Sequence, residues 1–103
     1  MKELLTVGQM LAVHACVLGE ASGARDLERA MTFRQWNGRS CRLANALLGL
    51  GLAKGDRVAV LAHNCVEWLE IYGATAKAGL IVVPINFRLT GREALYIVEN
   101  AEA

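Results

Sequence analysis

The sequence predicts an α/β fold built on a βαβ crossover with flanking helices, and two apolar runs separated by a helical segment support that prediction. The runs cover residues 57–62 and 80–85. Neither run alternates apolar with polar residues, and continuous apolar runs of this length are typical of parallel strands covered on both faces. The segment between them is long enough to form the helix of a right-handed crossover.

Four segments carry the same helix-start signal, which is a capping residue three places before Gln or Glu. The first side chain can accept a hydrogen bond from a free N–H group of the opening turn, and the second can reach back to the N–H group of the cap. The pairs are Thr6 and Gln9, Thr32 and Gln35, Asn64 and Glu67, and Thr90 and Glu93. They predict helices over about residues 7–18, 33–48 and 65–78 and from about residue 91 onwards.

Glycine-rich segments separate these elements. Residues 19–29 are rich in glycine, serine and charge, which predicts a surface loop, and we expect a very short strand over residues 30–33. The glycines of residues 49–55 match neither common phosphate-loop spacing, and they follow a helix and precede a strand. We interpret them as a helix-to-strand turn, and we interpret Gly79 as the C-cap of the third helix.

The composition indicates one small globular domain and offers no electrostatic case for nucleic acid. The chain has 103 residues, of which 54% are hydrophobic, 20% are charged and 6% are aromatic, and its formal net charge is +1. A net charge this small gives no electrostatic case for nucleic acid or an acidic membrane surface, and the scarcity of aromatic residues argues against a base-stacking platform. No uncharged stretch reaches the ~20 apolar residues of a membrane span. Residues 4–19 faintly resemble a signal peptide, but the helical spacing of their apolar residues favours an amphipathic helix.

The cysteines and histidines are too widely spaced to indicate a metal site or a catalytic pair. Cys16, Cys41 and Cys65 are odd in number and lack a Cys-x-x-Cys spacing. We therefore expect three reduced, buried thiols and a cytoplasmic location. His14 and His63 are isolated, so we expect structural roles for both, and we assign no catalytic or metal-binding residue in the chain.

The predicted elements leave the sheet unfinished. Two strands and one crossover helix cannot close a parallel sheet that is covered on both faces. A helix that follows a βαβ unit is expected to lead to another strand, and residues 99–103 contain none. We therefore expect the chain to be a piece of a larger domain.

A series of short motifs follows in one order and spacing over about seven-tenths of the chain. The motifs are Thr32-Phe33, Arg42-Leu43-Ala44 with Ala46-Leu47, Gly55-Asp56-Arg57-Val58-Ala59, Asn64, Lys77-Ala78-Gly79, Val83-Pro84-Ile85-Asn86, and Arg88-Leu89-Thr90 with Glu93. In this region the sequence resembles the N-terminal region of adenylate-forming acyl-CoA ligases, the AMP-binding superfamily that includes fatty acyl- and aryl-CoA synthetases. The resemblance implies an incomplete piece of the large N-terminal domain of these enzymes. Residues 1–29 would form a helix and a variable loop, and residues 30–103 would form the family-like α-β-α-β-α segment.

The resemblance also implies the chemistry of a parent enzyme. A carboxylic or fatty acid attacks ATP to form an acyl-adenylate and pyrophosphate, and the thiol of CoA then displaces AMP. ATP, magnesium and CoA are therefore expected for the parent, with magnesium offsetting phosphate charge. In family members the phosphate loop, the adenine- and ribose-binding motifs and the lid lysine lie downstream of the matching region. We therefore expect this chain to need the remainder of the ligase chain, to bind none of these cofactors tightly and to be inactive alone.

One binding residue follows from the resemblance. In some aryl-CoA ligases, the arginine of an Asn-x-Arg-Leu motif contacts the 3′-phosphate of CoA, and that arginine is Arg88 in this sequence. Arg88 follows a predicted strand and precedes a helix start, where free N–H groups and a guanidinium together suit a phosphate. The alternative is that Arg88 is a solvated or ion-paired loop residue.

Two other interpretations of the whole chain remain. The chain could be a free-standing α/β interaction domain, without catalysis, that is derived from this fold. It could also be an unrelated nucleotide-binding domain, but no glycine-rich loop follows a predicted strand. The coding sequence beyond Ala103 would separate a ligase segment from an interaction domain. Uncovered apolar faces also suggest self-association. In the family the substrate pocket is built largely downstream of this region, so the identity of the carboxylic acid does not follow from these residues.

Overall fold

The computed structural model describes residues 6–63 and 65–103, and within them four helices and two small sheets follow one another. The elements are α1 Val7–Val17, β1 Ser22–Arg25, β2 Ala30–Thr32, α2 Phe33–Gly49, β3 Arg57–Leu61, α3 Glu67–Ala78, β4 Ile81–Ile85 and α4 Gly91–Ala101. Strands β3 and β4 pair in parallel, with Arg57 opposite Ile81 and Leu61 opposite Ile85. Because α3 connects these strands, the predicted βαβ unit is confirmed.

Three of the predicted helix caps are confirmed. Thr6, Thr32 and Thr90 each accept a hydrogen bond from the backbone N–H group three residues later, and the Gln or Glu at that position bonds back to the cap. The predicted end of α3 is also correct. Gly79 adopts the left-handed conformation, with φ of 73°, that a glycine reaches without steric cost. Local hydrogen bonding thus determines where these helices begin or end.

The start of α3 differs from the prediction. The helix begins at Glu67, two residues later than expected, and its N-cap is Val66, which has no side-chain cap bond. Asn64, the predicted cap, lies outside the described residues. The carboxylate of Asp26 instead accepts a hydrogen bond from the Val66 N–H group, with an N–O distance of 3.0 Å. A residue of the β1–β2 connection therefore anchors the first turn of α3.

Strand β1 was missed in the sequence analysis, which predicted a loop over residues 19–29. It pairs antiparallel with β2, the short strand that was expected, and the register shifts between Ser22 and Ala24. Ala24 is 6% exposed and packs with Met31 and Val66. Four small or polar residues have little intrinsic preference for a strand, so the packing of Ala24 rather than local propensity accounts for this element.

Helices α1, α2 and α3 converge on Gly73. A Cβ atom at this position would lie 2.3 Å from the Ser40 Oγ atom of α2 and 3.1 Å from a side-chain carbon of Leu11 in α1. Ser40 is fully buried, and its hydroxyl donates to the Glu70 carbonyl oxygen at 3.3 Å. The indole Nε1 of Trp36 donates to the preceding carbonyl, that of Leu69, at 2.8 Å. The close approach allowed by glycine thus lets α2 bond directly to the backbone of α3.

The parallel sheet is less covered than its apolar pattern predicted. Of the residues in β3 and β4, Ile85 alone is buried, while Leu61 is 57% exposed and Ile81 is 50% exposed. Helix α4 contacts β4, but none of its residues is fully buried. The expectation that both faces are covered is therefore not met within the described residues.

Two further expectations concern single residues and the membrane. The three cysteines are free, as predicted, but Cys16 is exposed and Cys41 and Cys65 are only partly buried, so the prediction of buried thiols was wrong.

No helix among residues 6–63 and 65–103 combines the length and apolar character needed to cross a membrane.

The convergence on Gly73 predicts that Gly73→Ala destabilises the protein. The added methyl group must displace Ser40 or Leu11, and overpacking of this kind typically costs about 1–3 kcal/mol. Gly38→Ala in α2 is the matched control, because the nearest atom to its added Cβ would be 3.7 Å away. The control should be neutral or raise the free energy of unfolding by up to about 1 kcal/mol, since alanine favours a helix. Chemical denaturation of both variants measures the difference, and an equal effect of the two substitutions would contradict the packing argument.

The contact between Asp26 and α3 predicts a pH-dependent stability. The backbone N–H groups of Arg29, Glu28 and Val66 hold the pKa of the Asp26 carboxyl below its usual value of 3.8. The charged form is therefore favoured in the folded state. Its contribution to stability is present above about pH 3.8 and is lost as the pH falls through the lowered pKa.

The free energy of unfolding of Asp26→Asn should therefore approach that of the wild type as the pH falls below 3.8. Denaturation at a series of pH values between neutral and strongly acidic conditions measures this difference. Glu28→Gln is the control, since it removes a neighbouring carboxylate that makes no side-chain hydrogen bond or ion pair among the described residues. A wild-type minus Asp26→Asn difference that stays constant with pH would refute the assignment.

Candidate functional site

A groove of about 770 Å³ opens where β3 and β4 end. Cys65, Trp68 and Tyr72 of the α3 segment line one wall, and residues 84–88 line the other. The carboxyl ends of parallel strands are the usual position of ligands in open α/β sheets. The groove is therefore the candidate site, and it contains Arg88, the one binding residue expected from the sequence.

The segment that follows β4 is held by hydrogen bonds of its own motif residues. The Asn86 side-chain oxygen accepts from the Arg88 N–H group at 2.9 Å, and the Asn86 carbonyl accepts from the Leu89 N–H group at 3.1 Å. Thr90 and Glu93 form the capping box that starts α4. These motif residues thus shape a tight turn that leads directly into a helix.

Arg88 differs from its neighbours in the motif. Its side chain is exposed, and among the described residues it forms neither an ion pair nor a side-chain hydrogen bond. Its guanidinium carbon lies 5.5 Å from the centroid of the Phe87 ring, within the range of a cation–π contact. Arg88 is thus a cation beside the groove whose head group remains available to an anion.

Charges beside the first turn of α3 are already paired. The Arg29 guanidinium donates to the Glu67 carboxylate at 2.6 Å and lies 3.9 Å from Asp26. Hydrogen bonds from Arg29 and then from the Cys65 thiol hold the pKa of Glu67 below its usual range. These contacts fix the first turn of α3, so they shape the wall of the groove rather than provide a free charge.

Aromatic rings follow both strands. His63 lies two residues beyond the end of β3, and its ring centroid is 4.3 Å from that of Phe87, two residues beyond the end of β4. Trp68 donates its indole N–H to the His63 carbonyl at 3.0 Å, and its ring centroid is 5.6 Å from that of Tyr72. The expectation that His63 is isolated was therefore wrong. Its position after a strand could have indicated the contact, because the ends of parallel neighbours meet at one edge.

The remaining candidate side chains do not join this site. His14 packs edge-on against Phe33, with 5.3 Å between ring centroids, at the contact of α1 with α2. Within the described part of the chain, no three His, Cys, Asp or Glu side chains cluster closely enough to hold a metal ion. The groove thus offers a cation and aromatic surfaces, which can attract a phosphate and contact a planar group.

Comparison with known proteins identifies the family. The sequence model of the family described as AMP-binding enzyme matches residues 12–103. The chain is 36% identical over 105 residues to an acyl-CoA ligase, sidI, of Beauveria bassiana, covering 95% of this chain and 17% of that protein. It is 44% identical over 71 residues to the long-chain-fatty-acid–CoA ligase FadD13 of Mycobacterium tuberculosis, covering 69% of this chain and 14% of that protein.

Solved structures agree with these relatives. The N-terminal domain of FACL13 from Mycobacterium tuberculosis superposes with a TM-score of 0.89 and 35% identity, over 97% of this chain and 26% of that chain. The chain spans less than a fifth of the length of the two curated relatives. The family match begins at residue 12, well before the first motif noted in the sequence. Because the superposition covers 97% of the chain, α1 belongs to the shared fold as well. The chain belongs to the AMP-binding enzyme family and corresponds to the N-terminal part of its acyl-CoA ligases.

Proposed function

We propose that the chain is the N-terminal segment of an AMP-forming acyl-CoA ligase, which joins a carboxylic or fatty acid to CoA in an ATP-dependent reaction. The observation that carries this proposal is the superposition of 97% of the chain on the N-terminal domain of a fatty acyl-CoA ligase at 35% identity. Curated relatives of the same class support it, with identities of 36% and 44%.

The exposed apolar surface supports the proposal that further ligase chain packs on this segment. Leu61 and Ile81 of the parallel sheet are at least half exposed, as are Leu95 and Tyr96 of α4. The continuous apolar pattern of β3 and β4 is typical of strands that are covered on both faces. The remainder of the ligase chain is therefore the proposed partner of these surfaces. In its absence, self-association of the 103-residue chain is the proposed alternative way to cover them.

The proposed binding sites for the cofactors are distributed between this segment and the rest of the ligase. The connection from β3 to α3 contains no glycine, so it lacks the flexible loop that cradles ATP phosphates at such a position. We therefore place the ATP and magnesium sites, and the catalytic residues, outside residues 1–103. The Arg88 guanidinium fits one part of CoA, because an exposed cation ahead of the start of α4 suits a phosphate.

A free-standing interaction domain is the second candidate, and other exposed apolar residues favour it. Val7, Val17 and Leu50 are 66%, 72% and 79% exposed, which would suit a protein-binding surface. The coding sequence beyond Ala103 distinguishes the two proposals. A downstream loop rich in Ser, Thr and Gly that ends in Pro-Lys would support the ligase, and a stop codon in the native gene would support the interaction domain.

The proposed division of the site predicts that the 103-residue chain has no ligase activity. With ATP, magnesium and a panel of fatty and aromatic acids, the purified chain should release no pyrophosphate above the rate without acid. A coupled pyrophosphate assay measures this, with a complete acyl-CoA ligase as the positive control. Acid-dependent pyrophosphate release by the chain would show that the catalytic groups lie within it.

The proposed role of Arg88 predicts a selective loss of CoA binding in the ligase chain that contains this segment. Arg88→Ala removes a charge-assisted contact worth ~1.5–3 kcal/mol, so the apparent affinity for CoA should fall roughly ten- to hundredfold. The adenylation half-reaction, measured by ATP–pyrophosphate exchange, should be nearly unchanged because it involves no CoA.

Dephospho-CoA, which lacks the 3′-phosphate, provides the decisive comparison. Wild type should prefer CoA to dephospho-CoA, and Arg88→Ala should not. Arg92→Ala is the matched control, because it removes an exposed arginine from the first turn of the adjacent helix α4. Equal discrimination by the wild type and Arg88→Ala would return Arg88 to the alternative of a solvated loop residue.

A further inference from the structure

The loops that follow β3 and β4 are joined by an aromatic contact that the motif does not require. His63 comes from the first loop and Phe87 from the second, and their ring centroids lie 4.3 Å apart at an interplanar angle of 48°. Phe87 occupies the unspecified position of Asn-x-Arg-Leu, between the asparagine that makes the turn and the arginine beside the groove. Its identity therefore needs an explanation separate from the turn itself.

Phe87 contacts both His63 and Arg88. The guanidinium carbon of Arg88 lies 5.5 Å from the Phe87 ring centroid, which places the cation within range of the ring face. The Phe87 side chain is 41% exposed, so the ring is not held by burial in a core. The His63 ring is therefore a contact that can hold the Phe87 ring in one orientation.

His63 is itself tied to the scaffold. The indole of Trp68 in α3 donates to its carbonyl oxygen at 3.0 Å, and β3 ends immediately before the His63 loop. The backbone of Arg88 is likewise fixed, because its N–H group donates to the Asn86 side chain. The Arg88 side chain is long and exposed, and it would lose conformational freedom on binding a phosphate. A ring that already orients the guanidinium reduces that loss.

We propose that Phe87 and His63 are positioning residues that orient the Arg88 guanidinium beside the groove and so set the preference of the ligase for a 3′-phosphorylated CoA. Phe87 acts on Arg88 through its ring face, and His63 acts through Phe87. This inference rests on the proposed function, in which Arg88 binds the 3′-phosphate, and it adds the residues on which that binding depends.

The experiment compares kcat/KM for CoA and for dephospho-CoA in the ligase chain that contains this segment. Phe87→Leu keeps the apolar bulk but removes the ring, and His63→Ala removes the second ring. Each should lower the preference for CoA by about two- to fivefold, the size expected for an exposed cation–π contact. The loss should lie in the KM for CoA and should exceed any loss toward dephospho-CoA. His63→Phe, unlike His63→Ala, keeps a ring at this position and should keep the preference for CoA over dephospho-CoA.

Two controls separate positioning from a general structural effect. His14→Ala removes the other ring contact of a histidine, the one with Phe33, and should leave the preference unchanged. In a protein that already carries Arg88→Ala, Phe87→Leu should not change the preference for CoA over dephospho-CoA any further, because the guanidinium that Phe87 orients is absent. Melting temperatures of all variants identify any that fail to fold. Phe87→Leu and His63→Phe test the proposal even if His63→Ala does not fold.

Each outcome has a distinct meaning. A wild type that does not discriminate between the two thiols would overturn the proposed role of Arg88, and the present inference with it. Loss of discrimination in Arg88→Ala but full discrimination in both Phe87→Leu and His63→Ala would overturn only the present inference. Equal losses toward CoA and dephospho-CoA, or an effect of Phe87→Leu that persists without Arg88, would also overturn it.

Discussion

The close approach of three helices at Gly73 is the constraint on which the rest of the structure depends. A side chain at this position would collide with Ser40 of α2, and its absence lets Ser40 and Trp36 donate hydrogen bonds to successive carbonyls of α3. These bonds fix the position of the crossover helix. Because α3 connects the two parallel strands and lines the groove beyond them, its position sets both the sheet and the candidate site.

The first turn of α3 is held by hydrogen bonds with the connection between β1 and β2. Asp26 accepts a hydrogen bond from Val66, and Arg29 pairs with Glu67, so the β1–β2 connection fixes one wall of the groove. The connection between β1 and β2 lies outside the motifs from which the family resemblance was inferred, yet it holds the helix that lines the same site. The match of the family to residues 12–103, hairpin included, is consistent with this structural connection.

The residues of the motif after β4 differ in whether the local fold needs their side chains. Asn86, Thr90 and Glu93 make the turn and the helix cap, and each would be needed to maintain this backbone whether or not a ligand were bound. Arg88 has no such local role, and its guanidinium remains exposed beside Phe87. In the proposed function, Arg88 is the binding residue, and its neighbours hold the backbone around it with their own side-chain hydrogen bonds. This division supports treating Arg88 and the rings beside it as functional.

The sequence by itself determined the parts of the fold that depend on local hydrogen bonds and periodicity. Three threonine caps, the glycine end of α3 and the parallel βαβ unit follow from such patterns. The family followed instead from the resemblance of a series of motifs, and the family match confirms it. Tertiary structure decided strand β1, the start of α3 and the His63–Phe87 contact. The Asp26–Val66 bond joins residues 40 positions apart, and no local pattern specifies such a partner. The apolar strands likewise predicted a covering that the described residues do not supply, because hydrophobicity records that a residue is to be buried but does not identify the surface that buries it.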